Sequence, residues 1–221
     1  MKKQLIFLIS LCILFTGGYL IKFYFDSCQW KQMCSETAKE TFREAILMEV
    51  SKKKENKVYD ELHTIVSTNP ITNTTVCDSI TISTTEFGKQ KYQINKEKLP
   101  YQLINNSFDN GLLSYLLHKQ PLSVDTIKNH WDRLLLRRGL KIHTIVRYAL
   151  TDLLGQTDTL YSPQGASIAR FDSISFWCLG YRLESEFTGF ASYIPYWKHQ
   201  PSIFLFWIFD TLECFDYLFI V

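Results

Sequence analysis

The sequence lacks a marked excess of charge of either sign, and it is poor in glycine and proline. Its 24 Lys and Arg nearly balance its 22 Asp and Glu, so the formal net charge is only +2. A general nucleic-acid binder needs surplus cations to neutralise phosphates, and we therefore expect no nucleic acid among the partners. Nine Gly and six Pro exclude fibrous and low-complexity classes. The aromatic content of 15% is too high for a disordered tail.

Sequence signatures of catalysis and of metal binding are missing as well. Asp109-Asn110-Gly111 lacks the second glycine of a nucleotide loop, and no Gly-x-Ser-x-Gly motif positions a nucleophile. There is no C-x-x-C motif, and no two histidines stand three or four residues apart as metal ligands on one helix do. We therefore expect no enzyme activity, no catalytic residue, no metal site and no cofactor.

An uncharged run of 18 residues, Gln4–Ile21, lies near the N-terminus. At the rise of an α-helix this length nearly crosses the hydrocarbon core of a bilayer, and Phe23–Phe25 would form an aromatic belt at the interface. Lys2–Lys3 favour a cytoplasmic N-terminus. Two interpretations remain open: a transmembrane anchor over residues 1–25, and a signal peptide that is cleaved near Thr16–Gly18. Both predict that the chain after residue 25 is exported.

A second apolar segment, residues 201–221, lies at the other end of the sequence. Asp210, Glu213 and Asp216 interrupt it at intervals of three, so their carboxylates would project from one side of a helix. Its twelve Leu, Ile, Phe and Val residues supply about −5 kcal/mol of insertion energy, whereas each central acid costs about 2.5–3.5 kcal/mol. We expect a second transmembrane helix whose acids either face a partner helix or are protonated; the alternatives are an apolar tail packed on the exported domain and a disrupted span in a truncated product.

The exported domain, residues 26–200, contains clear helical patterns. Ser35–Val50 is predicted to be a helix that begins at Ser35, with apolar residues at three- and four-residue spacing. Ser123–Arg138 is predicted to be a helix with Ser123 as its N-cap, and Gly139 is predicted to end it. The expected buried positions of the two helices are Ala38, Phe42, Ala45, Ile46, Val50, Ile127, Trp131, Leu134 and Leu135.

Strand patterns dominate the second half of this domain. Residues 141–148 alternate as a strand, and residues 173–183 and 188–196 are predicted to be two further strands with a turn at residues 184–186. The order of elements predicts an α+β fold with a long N-terminal helix and an antiparallel sheet covered by helices, flanked by transmembrane helices.

Cys28 and Cys34 form the candidate disulfide of the exported region, just outside the proposed anchor. An oxidising compartment would allow the two thiols to pair. They are also close together on a predicted helix, and so short a helical separation often prevents disulfide geometry. Both alternatives remain open at this point.

Several of these patterns together resemble the periplasmic sensor region of bacterial two-component sensor histidine kinases and membrane-bound winged-helix regulators. The resemblance is carried by Ile127, Trp131 and Leu134 of one predicted helix, and by the segments 138–144 and 147–152. It implies a non-catalytic sensor-like module in the inner membrane, with its main domain in the periplasm. In those families a cytoplasmic output domain follows the second span, so the resemblance also implies a truncated signal-transduction receptor.

The resemblance implies membrane lipid as a partner, together with a second copy of the chain or another membrane protein. It does not name a ligand. The alternative function is that of a structural or interaction protein of the envelope, which would bind a membrane partner through the acidic face of its C-terminal helix.

Overall fold

One uninterrupted helix of 53 residues, α1 (Lys2–Lys54), opens the chain in the computed structural model. The structure describes residues 2–54, 75–76, 79–84, 88–93, 96–105, 107–152 and 155–193. The predicted helix start at Ser35 is wrong, because Ser35 lies inside α1. No glycine or proline stands between Gly18 and Lys54, so nothing in that stretch of sequence ends the helix.

The chain divides into two compact units, and α1 contributes residues to both. The first unit comprises Met1–Glu36 and Tyr193–Val221, and the second comprises Thr37–Ser192. Of the first unit, the structure describes residues 2–36 and Tyr193. Within it, the ammonium group of Lys31 lies 5.9 Å from the centre of the Tyr193 ring, a cation–π contact.

In the described part of the second unit, α1 is followed by two antiparallel sheets and three further helical segments. The first sheet has the strand order β1-β2-β3, and the second has the order β5-β4-β7-β6. The bounds are β1 (Thr75–Val76), β2 (Ser79–Thr84), β3 (Gly88–Gln93), a 3-10 helix (Lys96–Tyr101), α2 (Ser107–Lys119), α3 (Val124–Arg137), β4 (His143–Thr151), β5 (Thr157–Ser162), β6 (Asp172–Leu179) and β7 (Ser185–Ser192).

The predicted α+β class, with its long N-terminal helix and antiparallel sheet, is confirmed. Two details of the strand prediction are wrong. Strand β5 was not predicted, and the turn between β6 and β7 is Gly180–Glu184 instead of residues 184–186. Gly180 has φ +93° and Leu183 has φ +59°, so two residues of the turn adopt the left-handed conformation that L-amino acids with side chains rarely adopt. A leucine in this conformation gives no turn signal in the sequence.

Helix α3 begins and ends as its sequence predicts. The Ser123 side chain accepts a hydrogen bond from the Thr126 backbone N–H at 3.2 Å, which makes Ser123 the N-cap. At the other end Gly139 has φ +77°, and the Leu140 N–H donates to the Leu135 carbonyl at 2.9 Å. This is the bond pattern of a helix ended by a left-handed glycine. All nine expected buried positions of the two predicted helices are buried.

Trp131 joins α3 to α1 over the four-stranded sheet. Its ring is fully buried and lies 4.6 Å from the ring of Phe42. Its Nε1 donates hydrogen bonds to the Ala38 carbonyl at 3.0 Å and to the Thr41 hydroxyl at 3.1 Å. Both rings pack where Gly189 of β7 presents no side chain, since a Cβ there would lie 3.0 Å from each of them. The core of the second unit is therefore built around this contact.

The expectation of flanking transmembrane helices has a different outcome. Among the described residues, no helix is both long enough and apolar enough to cross a membrane. The expected flanking helices are thus not supported by the described part of the chain. The second of them, over residues 201–221, lies outside the described residues.

Gly189→Ala should destabilise the second unit, because the added methyl group meets Phe42 and Trp131 at 3.0 Å and both rings are fully buried against each other. We expect a loss of about 1–3 kcal/mol in the free energy of unfolding, typical of an overpacked core. Urea unfolding followed by tryptophan fluorescence measures it.

The matched control is Gly18→Ala, at a position where a Cβ has nothing within 4 Å. This substitution should leave the unfolding of the second unit unchanged. Equal unfolding midpoints for Gly189→Ala, Gly18→Ala and the wild type would contradict the close packing at Gly189.

Candidate functional site

An open groove of about 480 Å³ lies beside strand β6 in the second unit. We call it the β6 groove. Its volume lies in the range of small-molecule sites, about 300–1,000 Å³. It combines one cation, two hydroxyl-bearing serines, two aromatic rings and an aliphatic side chain. The lining residues are Lys39, Tyr101, Ser173, Ile174, Ser175 and Phe176.

The position of β6 in the sheet explains why a groove forms there. Strand β6 is outermost in the order β5-β4-β7-β6, so one of its edges faces away from the sheet. Its pairing with β7 shifts register between Ser173 and Ser175, which leaves Ile174 as the extra residue of a bulge. Successive side chains of a regular strand point to opposite faces, and a bulge changes this alternation. Four consecutive residues of β6 therefore line one groove.

The 3-10 helix supplies the aromatic wall of the β6 groove. Directly after it, the Leu103 N–H donates to the Cys178 carbonyl at 2.9 Å, and Gln102 forms an isolated bridge with Cys178. This attachment to the far end of β6 holds Tyr101 beside Phe176, with the two rings edge to face at 5.5 Å between their centres. Tyr101 and Phe176 thus form a fixed apolar corner.

The charge in the β6 groove comes from α1. Lys39 is the charged residue among those that line it, and within the described part of the chain it forms no ion pair. One helical turn later, the Arg43 guanidinium lies 5.8 Å from the centre of the Trp177 ring. Two cations of α1 therefore lie along β6.

A buried hydroxyl group lies against the same groove. Ser175 is only 6% exposed, and its Oγ has no hydrogen-bond partner among the described residues. Most buried polar atoms in folded proteins are hydrogen-bonded, so an unpartnered one calls for an explanation. Other atoms cover this hydroxyl, so it can donate to an acceptor in the groove once a lining side chain moves aside.

A second polar cluster, at the turn between β6 and β7, has a structural role. Glu184 is buried, and its Oε2 accepts a hydrogen bond from the Arg182 N–H at 2.8 Å. The Arg182 guanidinium donates to the carbonyl oxygens of Thr151 and Asp152 at 3.2–3.3 Å. A Cβ at Gly180 would lie 2.5 Å from the Glu184 carboxyl group, so this carboxyl fits only against a glycine. The cluster fastens the turn to the end of β4.

Cys178 is a buried thiol on β6 that is unsuited to nucleophilic chemistry. Burial, and secondarily the nearby Glu186 carboxylate, raise the pKa of Cys178 to about 12, against a smaller lowering by Lys98. Lys98 and Glu186 form an ion pair beside it. Because only a thiolate is an effective nucleophile, Cys178 is inert near neutral pH.

The candidate disulfide cysteines are both free in the structure, Cys28 exposed and Cys34 buried. They lie on the continuous helix α1, six residues apart, which corresponds to about 9 Å of helical rise. A disulfide spans Cα atoms that are at most about 7 Å apart. A Cys28–Cys34 bridge would therefore require α1 to unwind locally.

The other residues singled out in the sequence do not contribute to the β6 groove. Asp210, Glu213 and Asp216 lie outside the described residues, so the proposed acidic face stays a prediction. His143 is exposed and His130 is half-buried, with its Nδ1 2.8 Å from the Arg133 guanidinium. Among the described residues, no group of three or more His, Cys, Asp or Glu could hold a metal ion.

Sequence reasoning missed the β6 groove entirely. The alternation around Ser173–Phe176 predicted a strand, but nothing in the sequence marks the bulge at Ile174. Lys39 and Tyr101 come from distant parts of the chain, and each has an ordinary sequence context. The signal that identifies the site is tertiary: a cation and a buried hydroxyl on the same groove, neither of which has a partner among the described residues.

Comparison of the chain with protein-family models, with curated proteins and with solved structures finds no match in any of the three. The resemblance to periplasmic sensor regions therefore stays a prediction that rests on the sequence patterns alone. Any function of the β6 groove has to be argued from its own side chains.

The raised pKa of Cys178 predicts how stability depends on pH. The folded state keeps this thiol protonated up to about pH 12, whereas the unfolded thiol ionises near its ordinary pKa of 9.0. The stabilisation is thus complete below pH 9 and is lost as the pH rises towards 12. At pH 10.5, ionisation of the Cys178 thiol lowers the free energy of the unfolded wild type by about 2 kcal/mol, and the free energy of unfolding falls by the same amount. In Cys178→Ala the free energy of unfolding should therefore fall by about 2 kcal/mol less between pH 8 and pH 10.5 than in the wild type, as measured by urea unfolding.

Cys28→Ala is the matched control, since the Cys28 thiol is exposed in the folded chain. Its unfolding free energy should follow the same pH dependence as that of the wild type. If Cys178→Ala also follows the wild-type curve, the Cys178 thiol ionises equally well in both states and its assigned environment is incorrect.

Proposed function

We propose that this chain is a membrane-attached binding module of the sensor type, with its second unit on the extracytoplasmic side of the inner membrane. Its partners are membrane lipid and a second copy of the chain or another membrane protein. The β6 groove is its ligand site, and the chain carries no catalytic activity of its own. Support comes from two features, the apolar surface of α1 in the first unit and the composition of the β6 groove.

Exposed apolar side chains on α1 are the main support for membrane attachment. Eight large side chains between residues 11 and 25 are 41–72% exposed. Successive helical residues are about 100° apart, so these side chains cover somewhat more than half of the helix circumference, and between residues 4 and 21 no charged residue stands on the remaining arc. A helix that is apolar on all sides is normally buried in a large core or in a membrane. The eight residues are Leu11, Ile13, Leu14, Phe15, Leu20, Ile21, Tyr24 and Phe25.

Lipid suits this surface better than water does. Covering one such side chain completely is worth about 1.5–3 kcal/mol, so eight partly exposed side chains together favour an apolar environment strongly. Lys2–Lys3 and Lys22 flank the uncharged run and place its ends at the polar boundaries of the bilayer. No described helix meets the requirement for crossing a membrane, so attachment is inferred from this exposed surface. The side of the membrane on which the second unit lies is inferred from the flanking charges.

The β6 groove supports the binding part of the proposal. Lys39 lines it from α1, the same helix that carries the apolar side chains of the first unit. A ligand that contacts Lys39 therefore acts directly on α1. Any difference in affinity between two arrangements of α1 would shift their populations, which is the thermodynamic requirement for a sensor.

Leu14→Lys combined with Ile21→Lys should release the chain from membranes. Each lysine removes a side chain that favours membrane insertion and adds about 3 kcal/mol to the free energy of insertion near the centre of a bilayer. We expect the double variant to move from the carbonate-resistant membrane fraction to the soluble fraction, as measured by immunoblotting of both fractions.

The control is Leu136→Lys combined with Leu160→Lys, at two exposed leucines of the second unit that are 59% and 50% accessible. This control should stay in the membrane fraction. A wild-type chain that already fractionates as a soluble protein would contradict membrane attachment.

The exposed thiol of Cys28 reports on the side of the membrane to which α1 continues. In intact spheroplasts a membrane-impermeant maleimide should label the wild type, and Cys28→Ser should lose that label, as measured by peptide mass spectrometry. If Cys28 is labelled only after lysis, the extracytoplasmic position of the second unit is incorrect.

A further inference from the structure

The β6 groove has the features of a site for a small organic anion. Its four consecutive strand residues, Ser173–Phe176, follow the outer edge of the sheet at a bulge. Bulges often re-aim side chains next to binding sites. Here the bulge brings two serine hydroxyls and one aromatic ring to the same groove.

The cations beside the groove favour a negatively charged ligand. Lys39 has no ion-pair partner among the described residues, and Arg43 is one turn further along the same side of α1. Two acids lie on or beside β6: Glu186 is paired with Lys98, and Asp172, the first residue of the strand, has an interaction of its own. An anion is thus attracted by Lys39 without having to displace a carboxylate of the protein.

The buried serine hydroxyl selects an oxygen acceptor. The Ser175 Oγ has no described hydrogen-bond partner, and other atoms cover it, so a ligand oxygen reaches it once a side chain that lines the groove shifts. A carboxylate oxygen accepts hydrogen bonds only, so it complements both a hydroxyl donor and an ammonium donor. A cationic or purely apolar ligand would leave the Ser175 hydroxyl unpartnered.

The rings of Tyr101 and Phe176 favour a ligand with a flat apolar group. Tyr101 and Phe176 are fixed edge to face at 5.5 Å between their ring centres, and Tyr101 is 45% exposed. A flat apolar group packed on these rings would cover exposed ring surface. The volume of about 480 Å³ suits a molecule of one ring with a short acidic side chain.

We propose that the β6 groove binds a small carboxylate with an apolar or aromatic body. Lys39 pairs with the carboxylate, the Ser175 hydroxyl donates to it, and Tyr101 and Phe176 hold the apolar body. This inference deepens the proposed function and rests on it, because it names the ligand class of the proposed binding unit.

The experiment is an isothermal titration of the full-length chain in detergent micelles with 3-phenylpropionate, and with its neutral amide as the matched probe. Heats from titrating empty micelles are subtracted. We expect saturable binding of the acid at one site and an affinity for the amide that is about tenfold lower or weaker still, because the amide has no charge for Lys39.

Three variants assign the binding to the groove. Lys39→Met should weaken 3-phenylpropionate about tenfold, and Ser175→Ala should weaken it about three- to tenfold. Ser175→Ala should fold normally, since its hydroxyl bonds no described residue, and circular dichroism checks this. Lys141→Met, at an exposed lysine that does not line the groove, is the control and should bind like the wild type.

Several outcomes would overturn the proposal: no saturation by 3-phenylpropionate, equal affinities for acid and amide, or equal effects of Lys39→Met and Lys141→Met. Tighter binding of an uncharged, blocked tetrapeptide would also overturn it, in favour of strand addition at the β6 edge. The titration measures ligand binding alone, whereas fractionation and Cys28 labelling measure membrane attachment. Failure of this inference and failure of the proposed function are therefore distinguishable.

Discussion

The contact between Trp131 and helix α1 is the constraint on which the rest of the second unit depends. A buried indole is favourable only if its N–H finds an acceptor, and here both the Ala38 carbonyl and the Thr41 hydroxyl provide one. The ring also packs on Phe42 and occupies the space that Gly189 leaves over the sheet. These contacts fix the rotation of α1 about its own axis relative to α3 in this unit. A different rotation would separate the Trp131 N–H from the Ala38 carbonyl and the Thr41 hydroxyl.

That rotation also decides where the charges of α1 lie. Lys39 follows the buried Ala38, and Arg43 follows the buried Phe42. Each is displaced by about 100° from its buried neighbour, so both cations lie at the border of the buried face. There they meet strand β6, with Lys39 at the groove and Arg43 over Trp177. The position of these two cations beside β6 is thus a consequence of how the core packs.

The remaining walls of the groove depend on how strand β6 is attached at its C-terminal end and on the bulge near its other end. At one end, the turn at Gly180 is fixed by the buried Glu184 and by the Arg182 guanidinium. Near the same end, Leu103 bonds the outer edge of β6 at Cys178 and so carries Tyr101 into place. Towards the other end, the bulge at Ile174 is left open to the groove. A rigid frame around an irregular strand is a common way to hold binding residues in position.

Local sequence patterns were enough to predict the α+β class, the caps of α3 and the buried stripes of α1 and α3. Those features are encoded by neighbours in the chain: Ser123 and Gly139 act on adjacent backbone groups, and apolar spacing of three and four residues defines a helix face. Tertiary contacts are needed instead for the turn at Gly180, for strand β5 and for the β6 groove. Lys39, Tyr101 and Ser175 are more than 60 residues apart from one to the next, and no local pattern couples them. Their proximity arises because burial of Trp131 and Phe42 orients α1 against the sheet, and such long-range packing leaves no periodic trace in a single sequence.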